Sequence, residues 1–244
     1  MDTTKLRGSI VPLVTPFRDG VVDFETLGAL IEWQIASGSH GISVTGSTGE
    51  PAALTLAERE QVIAYAVEVV RGRVPVVAGT GAHSLADTLH LTRFAERAGA
   101  DALLIITPPY CRPTQEGLYQ YFVAVAKATS LPVIIYNIPG RTAVNLEPET
   151  LARIREACPN VVGVKEANVD FIQVSRLFDR CGMDLLVYSG IEALCFPLLA
   201  LGGAGYFSAT ANVLPRELAR LYDLTVAGQW EEARALHFQL LEMN

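Results

Sequence analysis

Eight short apolar runs, separated by longer amphipathic stretches, constrain this chain more than any other feature of it. The runs are SIVPLVTPF from Ser9, GISVTG from Gly41, VPVVAGT from Val74, DALLIIT from Asp101, LPVIIYN from Leu131, VVGVKEA from Val161, DLLVYSG from Asp184 and AGYFSAT from Ala204. They are nearly continuous in Val, Ile and Leu, as parallel strands covered on both faces must be. The stretches between them carry helical periodicity, for example TLAEREQVIAYAVEVV from Thr55 and SLADTLHLTRFAERAG from Ser84. Thr55 and Ser84 stand at N-cap positions, and Glu58 completes a capping box with Thr55. Gly72 and Gly99 stand where those two helices should stop.

Eight strand–helix units without a Pro-, Gly- or Ser-rich linker predict one closed (β/α)8 barrel. An open doubly wound sheet would carry a glycine fingerprint after its first strand. Here the first run leads into VTPFRDG, and GTGAHS after the third lacks the last glycine. The expected division is a barrel over residues 1–226 and a short C-terminal helical segment over residues 227–244, containing QWEEARALHFQLLEM. Half of the residues are hydrophobic, which excludes a disordered chain. A formal charge of −7 without a basic block argues against a nucleic-acid partner. No apolar run approaches the roughly 20 residues of a membrane span. Pro12 and Pro16 interrupt the N-terminal apolar stretch, so no signal peptide is expected either. The four cysteines form no CxxC pair and read as reduced thiols of a cytoplasmic protein. His40, His83, His90 and His237 lack metal-ligand spacing, so no metal site is expected.

In such a barrel, chemistry belongs to the C-terminal ends of the strands and the loops after them. That rule selects TGSTGE, TPPYCRP, YNIPGRT, VKEAN, SGIE and SATAN. Of only three lysines, Lys5 lies near the terminus, Lys127 lies in a helical stretch, and Lys165 ends the apolar run VVGV. An ammonium in a barrel interior is costly to desolvate, so its pKa should fall. A partly neutral amine is what Schiff-base formation with a ketone requires. The competing reading is an ion pair with adjacent Glu166, which the alternation of side chains along a strand opposes. Tyr136 ends the neighbouring strand, as a proton relay or as a buried aromatic. Ser47 and Thr48, framed by Gly46 and Gly49, suit a carboxylate or an ordinary tight turn. Gly202, Gly203 and Gly205 read as a turn before the last strand.

GSTGE, TPPYCRPTQEGLYQYF, YNIPGRT and GVKEA, in this order across essentially the whole chain, resemble the dihydrodipicolinate synthase/N-acetylneuraminate lyase family of class I pyruvate-dependent aldolases. The resemblance implies that Lys165 forms the pyruvate imine and Tyr136 is the central proton donor and acceptor. It implies that Ser47 and Thr48 hold the pyruvate carboxylate and join the relay, with Gly190 also binding substrate. In the synthase branch, the position of Arg141 binds the second substrate's carboxylate. The position of Tyr110 reaches into a neighbouring subunit's site, implying a homodimer or homotetramer. No metal or separate cofactor is implied, and the partners are pyruvate and a small aldehyde. The leading expectation is condensation of pyruvate with L-aspartate semialdehyde, giving the cyclic precursor of diaminopimelate and lysine.

Three departures keep other readings open. Ser47 replaces the threonine usual in synthases, and SGIE with Ile191 lacks their paired aspartates. The chain also carries only a remnant of the family's helical C-terminal domain. A pyruvate-dependent aldolase of a sugar acid or another 2-oxo acid is the alternative, and a catalytically silent barrel is the second. Inhibition by lysine is expected to be weak or absent. Pro51, Leu56 and Arg59 stand where polar or histidine side chains would line an effector site, and Pro109 stands where a second tyrosine often stacks. His83 and Asp87 are the polar groups remaining there.

Overall fold

The computed structural model describes residues 3–242. Residues 1 and 2 of the expected barrel span, and residues 243 and 244 of the expected C-terminal segment, lie outside the described residues. Each apolar run contains one strand: β1 Gly8–Pro12, β2 Gly41–Val44, β3 Val76–Gly79, β4 Ala102–Ile106, β5 Val133–Asn137, β6 Val161–Glu166, β7 Leu186–Ser189 and β8 Gly205–Phe207. All pair in parallel with their sequence neighbours, and β1 pairs with both β2 and β8, which closes the barrel. The first run extends past its strand, and a two-residue hairpin (Phe17–Arg18 with Val21–Val22) follows it.

The outer layer is α1 Phe24–Ala36, α2 Leu56–Val70, α3 Leu85–Ala98, α4 Gln115–Ala126, α5 Pro148–Ala157, α6 Phe171–Cys181, α7 Cys195–Ala200 and α8 Pro215–Val226. A further helix, α9 Trp230–Leu241, packs on α8. Thr55 and Glu58 form the expected capping box of α2, and the Ser84 hydroxyl caps α3 through the Asp87 amide. Gly99 ends α3 in the left-handed region, whereas α2 ends one residue before Gly72, on Arg71 at φ +52°. Lys127 is the C-cap residue of α4.

Strand side chains sort into two packed layers. Leu103, Ile105, Val133, Ile135, Val161, Val164 and Val187 join the core between barrel and helices. Ile10, Leu104, Ile134, Tyr136, Val162, Leu186, Tyr188 and Phe207 fill the lumen. The Tyr188 hydroxyl donates to the Leu6 carbonyl, and its ring meets Phe207 edge-on at 5.1 Å, so the lumen is a packed interior.

One irregularity decides which residues β6 sends inward. Val133 pairs with Val161, but Ile134 pairs with Gly163, leaving Val162 as an extra residue on β6. Strand side chains alternate with period two, so one inserted residue reverses every later position. Val164 and Glu166 therefore face the helices, and Lys165 faces the lumen. Gly163 permits this: a Cβ there would stand 2.5 Å from the Leu186 carbonyl oxygen and 3.3 Å from the Tyr188 ring.

No helix of the described residues is long and apolar enough to cross a membrane. All four cysteines are free thiols. His40 bonds to Asp223 at 3.1 Å and His90 to Glu60 at 2.7 Å. Among the described residues no group of three or more metal-ligating side chains converges.

Candidate active site

The β5–β6 register sets Tyr136 beside Lys165 at the C-terminal end of the barrel. Lys165 is only 4% exposed, with its Nζ 4.0 Å from the Tyr136 ring centroid and 5.3 Å from that of Phe207. Burial drives its pKa down to about 7; nearby Glu192 pulls it back up and Arg141 pushes it lower. At pH 7 about half of such lysines carry a free amine, against roughly 0.03% of lysines in water. The Glu166 ion pair does not form. Glu166 lies on the outer face of β6, where Asn137, Gln173 and Asn168 donate to it.

Tyr136 is buried, and burial raises its pKa above the ordinary value, countered first by the nearby Ser47 side chain. Ser47 and Thr48 open a 3-10 turn, Ser47–Gly49, just after β2. This loop is held in an unusual conformation: Thr45 and Glu50 have φ of +55° and +53°. For a β-branched residue such as Thr45 that geometry is strained, and costs about 1–3 kcal/mol. It is held by the Thr45 hydroxyl, which donates to the Gly79 carbonyl at 2.8 Å, and by the Thr15 hydroxyl, which donates to the Gly49 carbonyl at 2.7 Å.

Gly190 follows β7 and passes close over the lysine; a Cβ there would sit 3.0 Å from Lys165 Cε. Arg141 occupies a single helical turn, Pro139–Thr142, after β5. Arg141, Ser47 and Tyr136 line one cavity of about 410 Å³. The wall continues through Thr45, Leu104 and Ile106 toward Arg59 and His83. Tyr110 stands apart: it is 90% exposed at φ +72°, and Pro109, not Tyr110, borders the cavity. The structure thus brings Lys165, Tyr136, Ser47, Thr48, Gly190 and Arg141 to one end of the barrel, and leaves Tyr110 on the surface.

Two neighbours of the lysine escape sequence reasoning. Phe207 packs beside the ammonium from β8, and Glu192 reaches it from the turn after β7. The Glu192 carboxylate accepts the Ala209 amide at 2.9 Å, which ties it to the end of β8. SGIE draws attention to Ile191, whereas the side chain that senses Lys165 is the next one.

The family model described as "Dihydrodipicolinate synthetase family" matches residues 5–244. The chain belongs to this family. It is 50% identical over 239 residues to a 4-hydroxy-tetrahydrodipicolinate synthase of Thermus thermophilus, spanning 98% of this chain and 80% of that protein. The synthase of Nitratidesulfovibrio vulgaris strain Miyazaki F is 47% identical over 240 residues, with 98% and 82% covered. The crystal structure of dihydrodipicolinate synthase from Aquifex aeolicus superposes with a TM-score of 0.95 at 41% identity, covering 97% of this chain and 81% of the other. The closed eight-stranded barrel is therefore the fold that this chain shares with that structure.

Proposed function

We propose that this chain is a 4-hydroxy-tetrahydrodipicolinate synthase, a lyase that condenses pyruvate with L-aspartate semialdehyde through an imine on Lys165. The relatives' names at about half identity over nearly the whole chain support the reaction. The observation that carries the residue roles is the Tyr136–Lys165 register pair with Ser47 and Tyr136 on the wall of one cavity.

The neutral Lys165 amine attacks the pyruvate carbonyl carbon, and the oxygen takes a proton through the Tyr136–Ser47 pair to give a carbinolamine. A second proton leaves with that oxygen as water, and the cationic imine remains. Loss of a methyl proton places the electron pair in an enamine, whose terminal carbon attacks the aldehyde; the new alkoxide is protonated by the same relay. The second substrate's own amine then adds to the imine carbon, closes the ring and expels Lys165 as a free amine. Ser47 and Thr48, with the amides of their turn, hold the pyruvate carboxylate, and Gly190 leaves room above the lysine. Arg141 stands at the mouth and takes the second carboxylate with paired N–H donors. Tyr110, exposed on a strained loop, completes the relay in a neighbouring copy of the chain, so the working unit is at least a homodimer. Pyruvate bonded to Lys165 is the only prosthetic chemistry this scheme needs.

Borohydride reduction in the presence of pyruvate, followed by peptide mapping, tests the assignment. An adduct on Lys165 that vanishes in Lys165→Ala is the expected result, and a folded chain with no adduct refutes it. Arg141→Ala should lower the efficiency toward the semialdehyde by about 10- to 100-fold, the worth of a hydrogen bond to a charged group. Wild-type inactivity with the semialdehyde would remove the substrate assignment.

A further inference from the structure

The register that pairs Tyr136 with Lys165 also pairs Asn137 with Glu166, and this second pair faces away from the lumen. Glu166 is 4% exposed, and its hydrogen-bond partners are amide donors. Asn137 Nδ2 donates to Oε1 at 2.9 Å and Oε2 at 3.1 Å, the Asn168 amide to Oε1 at 2.9 Å, and Gln173 Nε2 to Oε2 at 2.9 Å. A buried carboxylate is expensive, and apolar residues of the same volume are often no worse for stability. Its two oxygens, however, gather donors from three places: β5, the loop after β6, and α6.

What these donors hold besides Glu166 points to the purpose. Asn137 Nδ2 also donates to Asn145 Oδ1 at 2.8 Å, and Asn137 Oδ1 accepts the Leu146 amide at 3.0 Å. Asn145 Nδ2 donates to Gln173 Oε1 at 2.7 Å, while Gln173 Nε2 donates to Asn145 Oδ1 at 3.1 Å. The segment that leaves β5 at Asn137 is thereby fastened back to Asn137 at residues 145 and 146. Arg141 lies midway along it. Within the segment the Thr142 hydroxyl bonds to the Ile138 carbonyl at 3.1 Å, so the turn bearing Arg141 is stiff and its root is clamped.

We propose that Glu166 is a positioning residue for the second substrate: through Asn137, Gln173 and Asn145 it closes the root of the 138–146 segment and so fixes Arg141 over the mouth of the site. This rests on the assignment of Arg141 to the second carboxylate. A loosened guanidinium weakens capture of the semialdehyde without touching the lysine that captures pyruvate.

Two variants test it, Glu166→Gln, which removes the charge, and Asn145→Ala, which cuts the clamp and keeps the charge. In both, KM for the semialdehyde should rise about tenfold or more, as small misplacements of a positioning group do. KM for pyruvate and the pH dependence of borohydride trapping should stay as in wild type, and amide hydrogen exchange over residues 138–146 should accelerate. The reciprocal double variant Asn137→Asp/Glu166→Gln, which turns the inter-strand hydrogen bond around, should recover part of the semialdehyde KM. Unchanged exchange in 138–146 overturns the proposal, as does a shifted trapping profile in Glu166→Gln with the semialdehyde KM unchanged. If Glu166→Gln does not fold, Asn145→Ala decides alone. Arg141→Ala with an unchanged semialdehyde KM would refute the Arg141 assignment, and the exchange measurement would still judge the clamp.

Discussion

Replacing Lys165 by methionine removes a buried charged group from the barrel lumen and keeps most of the length of its side chain. Lys165 is almost wholly buried, and burial holds its pKa near 7 instead of the ordinary 10.5. The unfolded chain binds that proton more tightly, so folding at pH 7 must release it or bury it. The linkage cost is about 4 kcal/mol at pH 7. Its sign follows from the lowered pKa: the cost is complete below about pH 7, shrinks as pH rises, and is gone near the unfolded-state value of 10.5. Lys165→Met should therefore be inactive and more stable than wild type by about 3–5 kcal/mol at pH 7, or roughly 8–15 °C in Tm for a chain of this size. Urea unfolding of both proteins at equal concentration, at several pH values between 7 and 10, reads the difference directly. The gap should close steadily toward pH 10. A variant no more stable than wild type at pH 7, or a gap that ignores pH, would refute the account of a desolvated and partly neutral lysine.

Other outcomes follow from the same geometry. With the free enzyme needing a neutral Lys165, kcat/KM for pyruvate should fall about tenfold per pH unit below about pH 7, and a flat profile down to about pH 5 would contradict this. Gly163→Ala forces a Cβ to within 2.5 Å of the Leu186 carbonyl oxygen. It should cost about 1–3 kcal/mol of stability, and shift β6 enough to depress borohydride trapping; native trapping with native stability would show the bulge is not needed. Lysine should inhibit weakly, because Arg59 is buried beside the cavity with Nη2 donating to the Gly79 and Gly81 carbonyls at 2.8 and 3.0 Å, and a fixed cation there repels an incoming ammonium. Strong inhibition of initial rates at millimolar lysine would show otherwise.

Much of the site was legible as polar residues at the ends of apolar runs. Lys165 closes VVGV, Tyr136 closes VII, and the Ser47–Thr48 pair follows GISV. A barrel strand must be apolar for its length and can afford polarity only where it emerges, so a lysine at that position is conspicuous from the sequence alone. Glu192 and Phe207 were not legible, because each meets Lys165 only after β7 and β8 have closed against β6 and β1. Nothing local separates Glu192 from any other loop carboxylate. The Asn137–Asn145–Glu166–Gln173 cluster was hidden for the same reason: its members are ordinary polar side chains until the register aligns them.

The sequence by itself determined the number and order of the elements, since apolar runs, capping residues and helical periodicity act over a few residues. It also determined which side chains stand at strand ends. Only the tertiary structure decided the direction in which those side chains point. The extra residue Val162 on β6 reverses the alternation between Val161 and Val164, and without that bulge Val164 would fill the lumen while Lys165 faced the helices. Inward or outward orientation depends on pairing with a strand about 30 residues away and on the space Gly163 leaves beside Leu186 and Tyr188. Pairing and space are properties of the closed barrel, set by contacts between segments distant in the chain, and no local pattern encodes them.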